Sequence, residues 1–126
     1  MSANAELSEA QTKQRAFRNA LGSFPTGVTI ITTQDPSDGR MTGITVNSFT
    51  SVSLEPPLVL WCIDRRSRRY PAFVGAPGFT VSILASGHKA VSARLAGAGE
   101  HSLDGIALTP TELGPPALAD SLAVFE

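Results

Sequence analysis

A single cysteine, Cys62, stands in the chain, so no disulfide can close within it. The two histidines, His88 and His101, lie far from it in sequence, and no metal-ligand spacing results. An excess of one charge is also missing. Ten Lys and Arg against eleven Asp and Glu leave a net charge of −1, which argues against a nucleic-acid or acidic-lipid binder. No apolar run approaches the roughly 18 residues that a membrane span needs, and no apolar signal segment opens the chain, so a cytoplasmic protein without membrane contact is expected. The dinucleotide fingerprint G-x-G-x-x-G, the P-loop, the G-x-S-x-G elbow and H-E-x-x-H are all absent. Neither histidine is set for a nucleophilic triad, which makes hydrolase chemistry a poor fit.

What is present suits one small domain. At 126 residues the chain can bury roughly two-thirds of its unfolded surface. With 42% apolar and only 17% charged residues it can build a core, and the low charge hints at surface covered by a partner subunit. Residues 1–7 read as a loose tail. Ser8 with Gln11 is a capping-box pattern, Leu7 sits at the staple position, and a helix is expected to about Leu21 with Phe17 and Leu21 on its core face. Gly22 is placed for a left-handed stop. Residues 28–33 and 40–47 read as an antiparallel hairpin across a turn that ends in Asp38 and Gly39. The turn at Thr26 and Gly27 either brings bare backbone close to a ligand or simply leads into the strand.

The stretch from 43 to 60, G-I-T-V-N-S-F-T-S-V-S-L-E-P-P-L-V-L, is the most informative. Ile44, Val46, Phe49, Val52 and Leu54 are apolar and keep to even numbers except for Phe49, so the pleat slips once near Ser48. Such a slip predicts a bulge or bend. Between residues 42 and 53 lie six hydroxyls and one amide with no charge among them. Two readings stand: a wall for a flat polar heterocycle, with neutral donors for its edge and apolar groups for its face, or an edge strand with a solvated side. Pro56 and Pro57 then stop the ladder.

Residues 58–63 form a continuous apolar run, read as a strand covered on both faces, with Cys62 a buried small hydrophobe. Asp64 ends it, and Arg65, Arg66, Ser67, Arg68 and Arg69 follow, holding four of the ten basic residues. Three readings compete: a nucleic-acid patch, which no second basic cluster or aromatic interleaving supports, a solvated surface segment, and an anion cradle in which the Ser67 hydroxyl and guanidinium forks meet a phosphate. Pro71 opens a short helix, and residues 79–84 alternate as a strand with one buried face. Ser86 is placed to cap a helix over 88–95, with His88 at the surface. Residues 106–109 and 122–125 read as short strands, and His101 as solvent-exposed. Strands joined by hairpins outnumber helices, so a mainly antiparallel barrel with a few outer helices is expected.

Four pieces carry a resemblance: F-R-N-A-L-G-S-F-P-T-G-V-T-I-I-T-T (17–33), the stretch 43–60, D-R-R-S (64–67) and F-T-V-S-I-L (79–84). From about residue 15 to 96 the chain resembles the flavin reductase-like family, the short-chain NAD(P)H:flavin oxidoreductases that serve two-component flavin monooxygenases. The resemblance implies an FMN-binding split barrel, mainly β, antiparallel and of Greek-key type, with a few peripheral helices. The domain would span 15–126, after a tail and helix start over 1–14. It implies a homodimer with flavin near the subunit interface. The isoalloxazine would lie against Thr45, Val46, Asn47, Ser48, Ser51, Val52 and Ser53, close to Thr26 and Gly27, with Arg66 and Ser67 at the phosphate end. The implied chemistry is hydride transfer from NADH or NADPH to N5 of FMN or FAD, after which reduced flavin diffuses to a monooxygenase component.

Family members continue beyond the segment matching 122–126 and carry a late Gly-Asp-His segment whose histidine lies by the nicotinamide. This chain has none, and Pro25 replaces a usual alanine, so it is read as truncated at its C-terminal end. The alternatives to a reductase are a non-catalytic flavin binder or electron carrier, a shortened inactive member, or a structural subunit whose hydroxyl-rich stretch is merely a polar edge.

Overall fold

A computed structural model describes residues 8–97, 99 and 102–126. In chain order the elements are α1 (Glu9–Gly22), β1 (Thr29–Gln34), β2 (Met41–Val46), β3 (Thr50–Ser53), β4 (Leu58–Leu60), α2 (Tyr70–Gly75), β5 (Thr80–Ile83), α3 (Lys89–Ala96), β6 (Leu108–Thr109), β7 (Ala117–Leu118) and β8 (Ala123–Phe125). The β-branched run of β1 pairs antiparallel with β2, Thr29 opposite Val46 and Gln34 opposite Met41. The turn between them forms as its composition predicts. Asp35 Oδ1 accepts from both the N–H and the hydroxyl of Ser37, and Gly39 takes a φ of +74° that side chains disfavour. β5 joins the other side of β1 and β8 joins β5, giving an antiparallel sheet in the order β2-β1-β5-β8. The ribbons β3–β4 and β6–β7 stand outside it.

Successive residues of a strand face opposite ways, and β1 uses this to build two cores. Ile30 packs with Leu95 of α3, Leu103 and Leu118 on one face. Ile31 packs with Val46 and Val81 on the other, beneath Ile44, Phe49, Trp61 and Phe73. Trp61 meets Phe73 and Phe79 edge-on, at ring-centroid distances of 5.1 and 5.6 Å. That packing turns residue 61 inward and explains why β4 ends at Leu60. Gly43 admits α3 to the first face: a Cβ there would lie 3.0 Å from Leu103 Cδ2 and 3.3 Å from Leu95 Cδ1.

β5 has both faces buried, where one was expected, and the reason lies in its hydroxyls. Ser82 Oγ accepts from Leu118 N–H at 3.0 Å, Thr80 Oγ1 donates to the Pro115 carbonyl at 2.6 Å, and Thr32 Oγ1 of β1 donates to the Pro116 carbonyl at 2.7 Å. The polar face of β5 is thus roofed by residues 115–118. Prolines cannot donate to a ladder, and hydroxyls take their carbonyls instead.

Several other expectations are corrected. The Ser8 and Gln11 capping box forms, but α1 buries nothing: Phe17 is 68% and Leu21 57% exposed. Their stripe finds no core because α1 lies off the sheet, and the staple expected at Leu7 falls outside the described residues. Gly22 remains helical, and Ser23, itself right-handed, is the C-cap. The run 58–63 is a strand only over Leu58–Leu60, with Leu58 and Leu60 half exposed, and Cys62 is exposed in the loop that follows. Ser86 begins a 3₁₀ turn, Ser86–His88, and caps no helix; α3 starts at Lys89. His88 is half buried and bridging: Nδ1 accepts from Ala85 N–H at 2.9 Å, and Nε2 lies 2.9 Å from the Ala119 carbonyl. The Ala85 donor leaves Nε2 to carry the proton, which it gives to Ala119. His101 lies outside the described residues.

Candidate functional site

The pleat slip expected near Ser48 is a break. β2 ends at Val46, residues 47–49 leave the sheet, and β3 resumes at Thr50, with a further register shift between Ser51 and Ser53. The break sorts the hydroxyl-rich stretch into committed and open groups. Thr45 Oγ1 donates to the Ser92 carbonyl at 2.7 Å, tying β2 to α3. The Val46 side chain is buried, and its carbonyl accepts from Thr29 Oγ1. The hydroxyl hydrogen of Thr45, a half-buried residue, is thus committed to α3, and the Val46 side chain to the core. Ser48 Oγ accepts from Cys62 N–H at 3.0 Å, which joins the bend to the loop leaving β4 and leaves the hydroxyl proton available. Asn47 and Ser51 are exposed, and their side chains make no hydrogen bond among the described residues. Val52, beside them, is 56% exposed, and Ser53 is half buried.

Thr26 and Gly27 lie in the exposed segment before β1, where a Cβ on Gly27 would meet nothing within 4 Å. In the basic loop, Arg66 and Asp64 form a 2.9 Å ion pair, and Asp64 Oδ1 also accepts the Arg66 N–H. Those hydrogen bonds lower the Asp64 carboxyl to about 2 and raise the Arg66 guanidinium above its ordinary value. Ser67 Oγ accepts from Arg69 N–H, and Arg69, buried, donates through Nη2 to the Gly97 carbonyl. Burial pushes the Arg69 guanidinium down. The anion cradle is therefore partly occupied by the protein itself: Arg66 faces Asp64, and the Ser67 oxygen caps the turn into α2.

Cavities lie elsewhere. One of about 620 Å³ sits at the turn end of the β1–β2 hairpin, against α2 and residues 102–108. A second, of about 570 Å³, lies between α3 and residues 105–107 and 118–120. Neither is lined by Thr26, Gly27, residues 45–53, Arg66 or Ser67. Asn47, Ser48, Ser51 and Val52 are thus exposed and line neither cavity. Arg40 and Arg68 come together at the first cavity, a juxtaposition that sequence reasoning missed. No local pattern couples a turn residue to a loop 28 positions on. Among the described residues no group of His, Cys, Asp and Glu could hold a metal ion, and no helix is long and apolar enough to cross a membrane.

Comparison with known proteins matches residues 21–126 to the family described as flavin reductase like domain. The FMN reductase (NADH) SmoA of Agrobacterium fabrum is 45% identical over 112 residues, 89% of this chain and 63% of SmoA. Nitrilotriacetate monooxygenase component B from Mycobacterium thermoresistibile superposes with a TM-score of 0.83 at 42% identity, covering 93% of this chain and 64% of that one. The NADH:FAD oxidoreductase SgcE6 of Streptomyces globisporus, solved in complex with NAD and FAD fragments, gives 0.81 at 34% identity, covering 95% and 71%. The chain spans between 48% and 63% of the length of such curated relatives.

Proposed function

The chain belongs to the flavin reductase-like family and has its split-barrel fold, and from that premise we propose that it is an NAD(P)H-dependent flavin reductase supplying reduced flavin to a monooxygenase component. The observation that carries the reading is the bend at residues 47–49 and the strand it leads into, where Asn47, Ser51 and Val52 are exposed and the Asn47 and Ser51 side chains make no hydrogen bond among the described residues. An amide and a hydroxyl offer donors and acceptors to the polar edge of a flavin, and Val52 with Leu58 offers an apolar contact for its face. Bound there, the flavin would accept a hydride at N5 from NADH or NADPH. The residues around it bind and orient, and none is required as a general acid or base. Ser48, held by Cys62 N–H, fixes the bend. Thr26 and Gly27 present unobstructed backbone, while Thr45 and Val46 act through position and not through side-chain contact. Arg66 and Ser67 mark the phosphate end, with Ser53 on the ribbon nearer the ring.

The reading includes a homodimer, and the surface of the single chain supports it. Large apolar side chains are exposed on α1 (Phe17, Leu21), just beyond it (Phe24), and along β3, the following turn and β4 (Val52, Leu54, Leu58). A second copy laid on these surfaces would supply the missing wall over Asn47 and Ser51. The domain is taken as 15–126, in a cytoplasmic setting where a reductase meets reduced nicotinamide.

Titration with FMN and FAD followed by NADH oxidation tests the reading. Asn47→Ala and Ser51→Ala should each weaken flavin binding about fivefold to tenfold, as loss of one hydrogen bond does, while exposed Thr109→Ala should leave it unchanged. Equal effects at all three sites would remove Asn47 and Ser51 from the site, and binding without oxidation would make the chain a flavin carrier.

A further inference from the structure

The chain contains Asp-Gly twice, at Asp38–Gly39 and at Asp104–Gly105. Glycine after aspartate is the pairing in which the main chain most readily attacks its own side chain, because no Cβ shields the glycine nitrogen. The fold treats the two copies in opposite ways. We propose that Asp104–Gly105 is a site of spontaneous succinimide formation and isoaspartate linkage, and that Asp38–Gly39 is protected from it. The inference stands apart from the flavin reading, since it uses none of the residues assigned there.

In the β1–β2 turn both reacting groups are held. Gly39 N–H donates to the Asp35 carbonyl at 2.8 Å, and Asp38 Oδ1 accepts the Arg40 N–H at 2.9 Å. Gln34 Nε2 holds the Gly39 carbonyl as well, at 3.0 Å. To cyclise, the Gly39 nitrogen must leave one partner and the Asp38 carboxyl another. At Asp104–Gly105 neither group is engaged. Asp104 is exposed, and among the described residues neither its side chain nor the Gly105 N–H makes a hydrogen bond. The Asp104 N–H alone is held, by Ser102 Oγ at 3.1 Å. A Cβ on Gly105 would meet nothing within 4 Å, so the space over the bond is open to water.

The step needs no reagent but water. The Gly105 nitrogen bonds to Asp104 Cγ and gives up its proton, while a carboxyl oxygen leaves as water and a cyclic imide closes. Water then opens either carbonyl, restoring aspartate or leaving the chain linked through Cγ. That second product lengthens the backbone by a methylene carbon and frees an α-carboxylate, with no oxidation or reduction. Its position gives the lengthening a consequence. Leu103, before the pair, is buried with Ile30, Leu95 and Leu118, and Ile106, after it, packs on the same cluster. The Ile106 N–H donates to the Leu103 carbonyl at 3.1 Å across the pair, a closure set for normal backbone length. A longer link displaces Ile106 from that core or breaks the turn.

The test ages the folded full chain and a urea-unfolded sample side by side at neutral pH. Both are then labelled by an isoaspartyl carboxyl methyltransferase with radioactive S-adenosylmethionine, and peptides covering 38–39 and 104–105 are separated and counted. In the folded chain, label at 104 should exceed label at 38 about tenfold or more, the factor set by breaking the hydrogen bonds of Gly39 and Asp38. In the unfolded chain the two should approach parity. Asp104→Glu, whose longer side chain would have to close a larger ring, should abolish label at 104 and leave 38 unchanged. Label at 104 that is absent from the folded chain, or no greater than at 38, overturns the proposal. The aged folded chain should also unfold at a lower urea midpoint than fresh protein, whereas aged Asp104→Glu should show no shift. An unshifted midpoint in a chain labelled at 104 would overturn the link between this turn and the core.

Discussion

Asp64 and Arg66 show how a two-residue spacing decides the charge that a loop presents. The aspartate takes the Arg66 backbone N–H and the guanidinium together, so a phosphate arriving at Arg66 meets a cation already facing a carboxylate. The pairing holds the Asp64 carboxyl near 2, below its ordinary 3.8. A depressed folded-state value means that the pair's contribution is present above pH 3.8 and lost as pH falls through about 2. Both groups are solvated, so the effect on stability is small, and charge is the useful readout. In an NMR titration of side-chain carboxyls, Asp64 should titrate near 2 and return toward 3.8 in Arg66→Ala. A midpoint unmoved by the substitution would mean that the pair does not form in solution. Asp64, two residues ahead of Arg66, could be named from the D-R-R-S segment, but nothing in that spelling says that the loop's strongest anion partner is its own aspartate.

Among the elements, β5 holds the unexpected arrangement. Its alternation of Thr80, Val81, Ser82 and Ile83 is that of a strand with one wet face, and the alternation itself is real. The wet face is covered because residues 115–118 cross it, fastened by Ser82, Thr80 and Thr32. Ser82→Ala would leave the Leu118 N–H buried without an acceptor and should cost about 1–3 kcal/mol in chemical denaturation. Val81→Thr, on the opposite and apolar face, should cost a similar amount by burying an unmatched hydroxyl. If Ser82→Ala were neutral, the roof over β5 would not depend on its hydroxyls. The β1–β2 hairpin was the most legible element, since two β-branched runs around an Asp-Gly turn admit few other pairings. The β3–β4 ribbon was half legible: the break near Ser48 shows as an apolar residue out of phase, whereas the early end of β4 depends on Trp61 finding Phe73 and Phe79.

At the scale of the whole molecule, large apolar side chains stay exposed among the described residues. α1 is well made, with its capping box closed at both hydrogen bonds, yet its apolar stripe touches no core. An isolated helix of 14 residues is marginal in water, and packing is what normally stabilises one. A second copy covering Phe17, Leu21 and Phe24 would provide it. Phe17→Lys with Leu21→Lys should therefore shift the mass measured by light scattering from dimer to monomer and lower flavin affinity at least tenfold, because the open wall at Asn47 loses its cover. A chain that stays dimeric with unchanged affinity would place the interface elsewhere.

The sequence by itself determined the hairpin, the chemistry available at residues 42–53 and in the basic loop, and the family to which both belong, because these follow from pattern over short spans. Only the tertiary structure decided which of those groups remain open. Thr45 and Val46 are consumed by α3 and the core, and Arg66 is turned toward Asp64, while Asn47 and Ser51 are left facing outward. The physical reason is competition for hydrogen bonds and buried volume. Whether a hydroxyl serves a ligand or a carbonyl across the sheet depends on which distant segment the fold lays beside it, as Ser92 is laid beside Thr45.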